Sequence, residues 1–246
     1  MKVPVLTIND LSQRFGGLMA LSHIDFTVNQ GEIVSLIGPN GAGKTTLFSL
    51  ASGFLTPTRG EIWFDGQRID NLAAPDICKA GLVRTYQVVR PFGEMSVLEN
   101  VMIGAFLHCR TRDQARDVAR QVLDRVGLGP RAAQIARTLT LAGRKRLEVA
   151  KALATRPKLL LLDEVMAGLN AVETQEMLNL VQSVRADGVS VLVIEHNMQA
   201  IMQLSDRVIV LHHGQKIADG EPQAVASNPD VIAAYLGENY QGHVHA

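Results

Sequence analysis

Apolar residues recur along this chain with two different periods. Short runs in which apolar and polar residues alternate, such as 22–29, are typical of strands with one buried face. From about Ser96 to Thr155 the period is instead helical, and alanine, arginine and leucine are frequent. We therefore expect a block of helices between two groups of strands. The predicted strands are 3–9, 22–29, 33–37, 61–64, 81–86, 159–162, 189–194 and 207–211.

Strands and helices alternate after the helical block. The run 159–162 consists of leucines only, which is typical of a parallel strand buried on both faces. Helices predicted at 171–186 and 197–204 lie between the later strands, which is the order of a parallel sheet with helices packed around it. A hairpin and two short helices are predicted over 217–236, and the polar tail 237–246 is expected to fray.

The two groups of strands and the helical block define the fold class. The pair Asp65-Gly66 after a short strand predicts a tight turn, and hence an antiparallel β part. Ser96 is followed three residues later by Glu99, a capping box that starts the helical block. We expect an α/β fold: a mostly parallel sheet flanked by helices, with an antiparallel β part and an inserted α-helical subdomain.

Composition limits the class of protein without giving a function. Lysine and arginine (24) balance aspartate and glutamate (24), so the basic excess of a typical nucleic-acid binder is missing. The basic cluster 144–146 is therefore expected to be a solvated helix face. Cys78 and Cys109 lack metal-ligand spacing and are expected to be reduced thiols. With no secretory leader and no apolar run near ~20 residues, the chain is predicted to be soluble and cytoplasmic.

The stretch 38–46 reads G-P-N-G-A-G-K-T-T and predicts a phosphate-binding loop. It follows a strand and opens a helix, whose free N–H groups and dipole favour an anion. A glycine-rich turn before an ordinary helix is the plainer interpretation. The pattern G-x-x-x-x-G-K-[ST] is the Walker A loop of a P-loop NTPase core, with Lys44 reaching the β- and γ-phosphates and Thr45 placed for Mg²⁺. The predicted nucleotide-binding residues are Gly38, Pro39, Asn40, Gly41, Ala42, Gly43, Lys44, Thr45 and Thr46.

Two acidic residues end the buried leucine run. A carboxylate at the C-terminal end of a central parallel strand lies where α/β sheets bind ligands. Asp163 is therefore a candidate Mg²⁺ ligand, usually acting through water, and Glu164 is placed to polarise the attacking water. Without the phosphate-binding loop upstream, two such acids would be an ordinary strand end.

In this order, the motifs resemble those of the ATPase subunit of an ATP-binding cassette (ABC) transporter, from about Val5 to Gly237. The resemblance implies ATP and Mg²⁺ as cofactors. It implies that Gln87 touches Mg²⁺ and the attacking water, and that His196 contacts the γ-phosphate. It also implies that Phe15 stacks on adenine, although a core aromatic would fit the sequence nearly as well. The implied catalytic residues are Lys44, Gln87, Glu164 and His196, and the implied metal ligands are Thr45, Gln87 and Asp163.

The family's signature segment, ordinarily L-S-G-G-Q, falls on 139–143. Thr140 keeps a hydroxyl at the serine position, whereas Leu141 and Ala142 replace glycines. Gly143 stands where glutamine is usual. The family uses this segment on the ATP held by the opposite subunit. The resemblance therefore implies that Thr140, Ala142 and Gly143 contact the partner's nucleotide.

The resemblance also implies a domain division and partners. Residues 1–87 and 156–246 would form the nucleotide-binding core with a C-terminal extension, and 88–155 the inserted subdomain. The partners would be a second ATPase subunit (an identical copy or a paralogue), membrane permease subunits and, indirectly, a solute-binding protein, with no nucleic acid. The subunit would lie on the inner face of the cell membrane. Segments 90–100, 167–170 and 234–238 resemble those of importers of branched-chain amino acids and related amides.

Three other functions stay open from the sequence. A non-transporting cassette ATPase of the repair or translation type usually carries tandem cassettes or basic extensions, which this chain lacks. An export-type ABC ATPase would share the same motifs. A small-molecule P-loop kinase would leave Gln87, His196 and the signature segment unexplained.

Overall fold

The computed structural model describes residues 3–87 and 89–236. The strands in this part of the chain are β1 (Pro4–Phe15), β2 (Leu18–Asn29), β3 (Ile33–Ile37), β4 (Arg59–Phe64), β5 (Gln67–Arg68), β6 (Leu82–Arg84), β7 (Leu159–Asp163), β8 (Ser190–Ile194), β9 (Arg207–His212) and β10 (Gln215–Gly220). The α-helices are α1 (Lys44–Ala51), α2 (Ala74–Ala80), α3 (Val97–Ala105), α4 (Arg112–Arg125), α5 (Leu141–Leu153), α6 (Ala171–Ala186), α7 (Met198–Leu204), α8 (Pro222–Ala226) and α9 (Pro229–Leu236).

The strands form two sheets, and the fold is α/β as predicted. The first sheet has the order β2-β1-β4-β5 and is antiparallel. The second has the order β10-β9-β3-β8-β7-β6, and its members are parallel except for β10. Helices α3, α4 and α5 lie in the chain between β6 and β7.

The central strands of the parallel sheet are buried on both faces. Every residue of β3, β7 and β8 is buried, which explains their continuous apolar sequences. Alternate residues point to opposite sides, because the side-chain period of a strand is two. Leu160 and Leu162 face the core formed with α3–α6, whereas Leu159 and Leu161 face α1 and the antiparallel sheet. The hydrophobic cores on the two faces hold the sheet between them.

The ends of the helices follow the capping patterns in the sequence. Ser96 and Glu99 form the predicted capping box of α3, with each side chain bonded to the other's backbone N–H. Asn170 and Glu173 form a second capping box at the start of α6. These caps satisfy N–H groups that a helix leaves free, and substitution of such a residue by alanine typically costs about 1 kcal/mol.

The structure corrects several of the predicted boundaries. Strands β1 and β2 are longer than predicted. Register shifts near Asp10 and His23, which both adopt positive φ, interrupt the polar–apolar alternation, so the sequence pattern shows only part of each strand. Strand β6 covers only 82–84 of the predicted 81–86. Helix α2 was not predicted, because its seven residues bury a single side chain, Ile77, and so give no readable period.

The C-terminal helices pack beside the strand that leads to the phosphate-binding loop. Ile37, the last residue of β3, shares a buried cluster with Ile201 of α7, Val225 of α8 and Val231 of α9. None of the helices in residues 3–87 and 89–236 is long and apolar enough to span a bilayer. The predicted frayed tail, 237–246, lies outside the described residues.

Candidate functional site

A cavity of about 560 Å³ opens at the carboxyl ends of β3, β7 and β8. Parallel strands of an α/β sheet bring the residues that follow them to this edge. Most of the sequence-predicted nucleotide and catalytic residues line this cavity: Phe15, Asn40, Gly41, Ala42, Gly43, Lys44, Thr45, Thr46, Gln87, Glu164 and His196.

The loop between β3 and α1 passes close to the backbone of its neighbours. A Cβ placed on Gly38 would lie 2.1 Å from the carbonyl oxygen of Leu211, at the end of β9. A Cβ on Gly43 would lie 2.6 Å from Leu21 Cδ2. Both glycines have positive φ (146° and 104°), so no L side chain suits either position. The loop is therefore held against β2 and β9, and it leads into the free N–H groups at the start of α1, which favour an anion.

Lys44 donates hydrogen bonds into its own loop. Its Nζ lies 2.6 Å from the Gly38 carbonyl oxygen and 2.9 Å from that of Pro39. Burial lowers the pKa of the Lys44 ammonium, and the negative charges of Glu164 and Asp163 oppose that shift. The ammonium is thus a largely buried cation at the base of the cavity, the position in which it would meet phosphate oxygens.

Glu164 joins the side chains that follow two other strands. Its Oε2 accepts a hydrogen bond from Gln87 Nε2 at 2.6 Å, and its Oε1 lies 2.8 Å from His196 Nε2. These residues come from three distant parts of the chain, and the carboxylate holds both partners at the cavity wall. The three predicted hydrolytic side chains therefore form one hydrogen-bonded group.

The backbone of Glu164 is itself unusual. Its φ is 50°, in the left-handed region that a glutamate seldom adopts. Its N–H donates to the Ile194 carbonyl oxygen at 3.0 Å, and its own carbonyl oxygen accepts from Lys145 Nζ at 2.7 Å. The surrounding contacts stabilise a conformation that costs of order 1–3 kcal/mol.

Asp163 lies one residue away and faces a neighbouring groove. Its Oδ2 accepts from Arg84 Nη2 at 2.8 Å, and both side chains are buried. Thr45 and Gln87 line both the cavity and this groove, and Asp163 lines the groove. The three predicted metal ligands therefore lie together where the cavity meets the groove. Hydroxyl, amide and carboxylate oxygens are the ligands that Mg²⁺ prefers, so the donor set fits this ion.

The signature segment does not line the cavity. Thr140 is the N-cap of α5, and its hydroxyl accepts from the Gly143 N–H at 3.1 Å. Ala142 and Gly143 are buried, whereas Leu141 is 41% exposed. The N–H of Gly143 is therefore already bonded within the cap, and Thr140 and Leu141 are the exposed residues at this helix end.

Sequence reasoning missed three residues at or beside the site. Arg84 is the one charged residue in the run 82–84, and a charge at the end of an apolar strand could have indicated a buried ion pair. Lys145 was expected to be solvated as part of 144–146, but only 4% of it is exposed, because it points inward from α5 toward Glu164. His213, with a φ of 46°, lines the cavity from the turn after β9, and nothing in its local sequence indicates this.

Together, the strand–loop–helix geometry, the buried lysine and the acids at the strand ends define a P-loop nucleotide-binding ATPase core. The family model described as ABC transporter matches residues 21–167. The chain belongs to the ABC transporter family, as its nucleotide-binding ATPase component. A second model, described as branched-chain amino acid ATP-binding cassette transporter, matches residues 215–240.

The similarity to known proteins covers nearly the whole chain. The high-affinity branched-chain amino acid transport ATP-binding proteins BraF of Pseudomonas aeruginosa and LivG of Escherichia coli K12 are each 41% identical to it, over 97% of this chain and 100% of theirs. A crystal structure of the ADP conformation of an ATP-binding cassette of an ABC transporter superposes with a TM-score of 0.87 at 30% identity, covering 96% of this chain and 99% of that one. A nucleotide-free cassette gives a TM-score of 0.88 at 29% identity, covering 96% and 100%.

Proposed function

We propose that this chain binds and hydrolyses Mg-ATP to power the uptake of branched-chain amino acids or related small solutes. The observation that carries the hydrolytic part is the Glu164 carboxylate, which contacts Gln87 and His196 at the wall of the phosphate-loop cavity. A carboxylate held in this way is placed to orient a water molecule toward a γ-phosphate at the mouth of the loop.

The chain's residues supply positioning and charge, which are what phosphoryl transfer chiefly needs. Lys44 exchanges its carbonyl partners for β- and γ-phosphate oxygens, and the N–H groups at the start of α1 bind the same phosphates. Glu164 polarises the attacking water while His196 and Gln87 keep its carboxylate in place. Thr45, Gln87 and Asp163 would hold Mg²⁺, which neutralises phosphate charge when bound. Phe15, 44% exposed at the cavity wall, stacks on the adenine.

The solute is inferred from relatives, because it does not reach this chain. The two bacterial relatives are named for high-affinity branched-chain amino acid transport, and the model that matches the C-terminal residues is described as a branched-chain amino acid ATP-binding cassette transporter. The matched region includes β10, α8 and α9, the elements that pack behind Ile37. This supports an importer of the branched-chain amino acid type, with a solute-binding protein as an indirect partner.

The permease is proposed to dock in the groove beside the cavity. This groove has a volume of about 650 Å³ and lies between β6 and the helices α3 and α5. Its lining combines apolar, basic and acidic groups, among them Tyr86, Arg90, Ile103, Lys151, Glu148 and Asp163. The segment 88–92, which follows Gln87, is proposed to receive a helix of the permease; its first residue, Val88, lies outside the described residues. Such docking would place the subunit on the inner face of the membrane.

The second ATPase subunit is proposed to complete the site. We divide the chain into a core (1–87 and 156–246) and an inserted helical subdomain (88–155), with the signature segment at the start of α5. Thr140, Ala142 and Gly143 lie away from the cavity of their own chain, in which Thr140 is exposed and Ala142 and Gly143 are buried. The helix end that they form is proposed to contact ATP held by the other subunit. That subunit is either a second copy or a paralogue.

Substitution of Glu164 by glutamine tests the hydrolytic assignment. Glu164→Gln should bind Mg-ATP with unchanged affinity in calorimetry and hydrolyse it about 100-fold or more slowly, because an amide cannot polarise water as a carboxylate does. Glu221→Gln, a change of the same kind at the exposed N-cap of α8, should hydrolyse ATP at the wild-type rate. Wild-type turnover in Glu164→Gln would remove Glu164 from catalysis.

Transport is tested in cells that lack the chain. Uptake of radiolabelled leucine should be restored by the wild-type chain expressed with its cognate permease, and not by Glu164→Gln. Membrane fractions should retain the chain only when that permease is present. Equal retention without the permease would contradict the transporter assignment.

A further inference from the structure

The helix that carries the signature segment reaches the backbone of Glu164 through one buried cation. Lys145 lies on the second turn of α5, and only 4% of it is exposed. Its Nζ donates to the Glu164 carbonyl oxygen at 2.7 Å. Placing an ammonium in the interior costs several kcal/mol unless it is compensated. An apolar side chain of the same length would avoid that cost, so the charge calls for an explanation.

A buried acid that bonds to the same loop compensates the charge of Lys145. Glu195 is 3% exposed, and its Oε1 accepts from the Met166 N–H at 2.9 Å. Burial raises the pKa of Glu195, and the positive charge of Lys145 opposes that rise. Burial likewise lowers the pKa of Lys145, and the charges of Glu195 and Glu164 oppose that fall. The two buried groups thus hold segment 164–166 between opposite charges.

The same helix contacts this loop at a second point. A Cβ on Gly168 would lie 3.1 Å from Leu141 Cδ2, so the first residue of α5 lies against the loop that follows Glu164. Leu141 and Lys145 are four residues apart and therefore lie on one face of the helix. Two contacts therefore connect α5 to the loop that carries Glu164.

We infer that Lys145 is a positioning residue, which with Glu195 holds the backbone of Glu164 in its left-handed conformation and ties it to the signature helix. Glu195 directly precedes His196 in the chain, and Lys145 donates to the backbone of Glu164. Each of the two buried charged residues is therefore connected to a member of the hydrolytic group. Engagement of α5 with the opposite subunit's nucleotide would then adjust the carboxylate of its own chain. The inference rests on the proposed role of Glu164 in hydrolysis.

The test compares variants of Lys145 in the full chain, both with the native Glu164 and in the Glu164→Gln background. Lys145→Met removes the charge at similar length, and Lys145→Arg keeps a donor. Lys158→Met, which removes a cation from an exposed pair with Asp65, is the control. We expect Lys145→Met to lower kcat about 10- to 100-fold, with the KM for ATP within about twofold, since small misplacements of a catalytic group have effects of this size. Lys145→Arg should recover most of kcat.

Two further readouts separate positioning from general support of the fold. In the Glu164→Gln background, single-turnover hydrolysis of radiolabelled ATP should be unchanged by Lys145→Met, because the carboxylate it positions is gone. Glu195→Gln, which can still accept from Met166, should lower kcat without changing KM, and serves if Lys145→Met does not fold. Multiplicative losses in the Glu164→Gln background, or wild-type kcat in both Lys145→Met and Glu195→Gln, would overturn the inference. If Glu164→Gln itself keeps wild-type turnover, the proposed function fails instead.

Discussion

The ammonium of Lys44 is satisfied by two loop carbonyls, so phosphate must compete with internal hydrogen bonds for it. Charge-assisted hydrogen bonds contribute about 1.5–3 kcal/mol, and ATP offers more negative charge than a carbonyl. Lys44→Ala should therefore weaken ATP binding about 10- to 100-fold in calorimetry. Lys79→Ala, which removes an exposed lysine of α2, should leave the affinity unchanged. Equal affinity in both variants would contradict the phosphate role of Lys44.

The ion pair between Arg84 and Asp163 is buried, and its loss should lower the free energy of unfolding. Arg84→Met would leave the Asp163 carboxylate without its cation, and breaking one side of a buried pair typically costs about 3–5 kcal/mol. Urea denaturation should show a loss of this order in the free energy of unfolding. Lys158→Met, from the exposed pair with Asp65, should lose about 0–1 kcal/mol. Similar losses in the two variants would contradict the account of Arg84 as a structural counter-ion.

Residues differ in how readily their roles follow from sequence. Lys44 and Glu164 were predicted because each stands at a fixed place in a local pattern, after a strand and before or beside a helix. Arg84 and Lys145 were not, because their partners lie 79 and 19 residues away and only the fold brings them together. A basic residue on a helix is usually solvated, and nothing local distinguishes Lys145 from its neighbours.

At the level of elements, the phosphate-binding loop can be tested by two substitutions of the same kind. Gly38→Ala places a Cβ 2.1 Å from the Leu211 carbonyl oxygen, whereas a Cβ on Gly41 meets nothing within 4 Å. Both positions have positive φ, so both variants carry backbone strain. The strain is greater at Gly38, whose φ of 146° lies farther from the left-handed region than the 82° of Gly41. Gly38→Ala should lose clearly more stability than Gly41→Ala in urea denaturation, because β3 and β9 must separate. Equal losses would mean that the loop does not pack closely on β9.

Elements with a continuous or regular pattern were predicted well. The run 159–162 became β7, and the helix predicted at 171–186 is α6 with those bounds. Short or irregular elements were predicted poorly, and α2 and the β1–β2 hairpin are the examples. In α2 one buried residue gives no period, and in the hairpin the register shifts break the alternation that identifies a strand.

For the molecule as a whole, the position of the signature segment decides how the site is completed. The hydrolytic group and the phosphate loop lie at one cavity, whereas α5 begins elsewhere on the same chain. Within one chain, therefore, the signature segment does not reach the phosphate-loop cavity. Under the proposed pairing, two chains arranged head to tail would bring each signature segment to the other chain's cavity, and their association would then depend on ATP.

This dependence should be visible in the mass of the Glu164→Gln chain. With Mg-ATP, sedimentation should show a dimer, because ATP bridges two subunits and is not consumed. Without nucleotide, or with EDTA, the chain should be a monomer. A monomer in Mg-ATP would contradict pairing between two copies of this chain.

A second substitution tests whether the signature helix forms the contact between the two subunits. Leu141→Glu adds a carboxylate to an exposed position of the signature segment, where it would face the partner's phosphates and repel them. Ile232→Glu, on α9, is a matched control, because Ile232 is 40% exposed and Leu141 41%. In the Glu164→Gln background, Leu141→Glu should abolish the dimer while ATP binding to the monomer persists, and Ile232→Glu should leave the dimer intact. Equal dimer formation in the two variants would place the contact away from the signature helix, and the altered residues 141–143 would then have no role in closing the site.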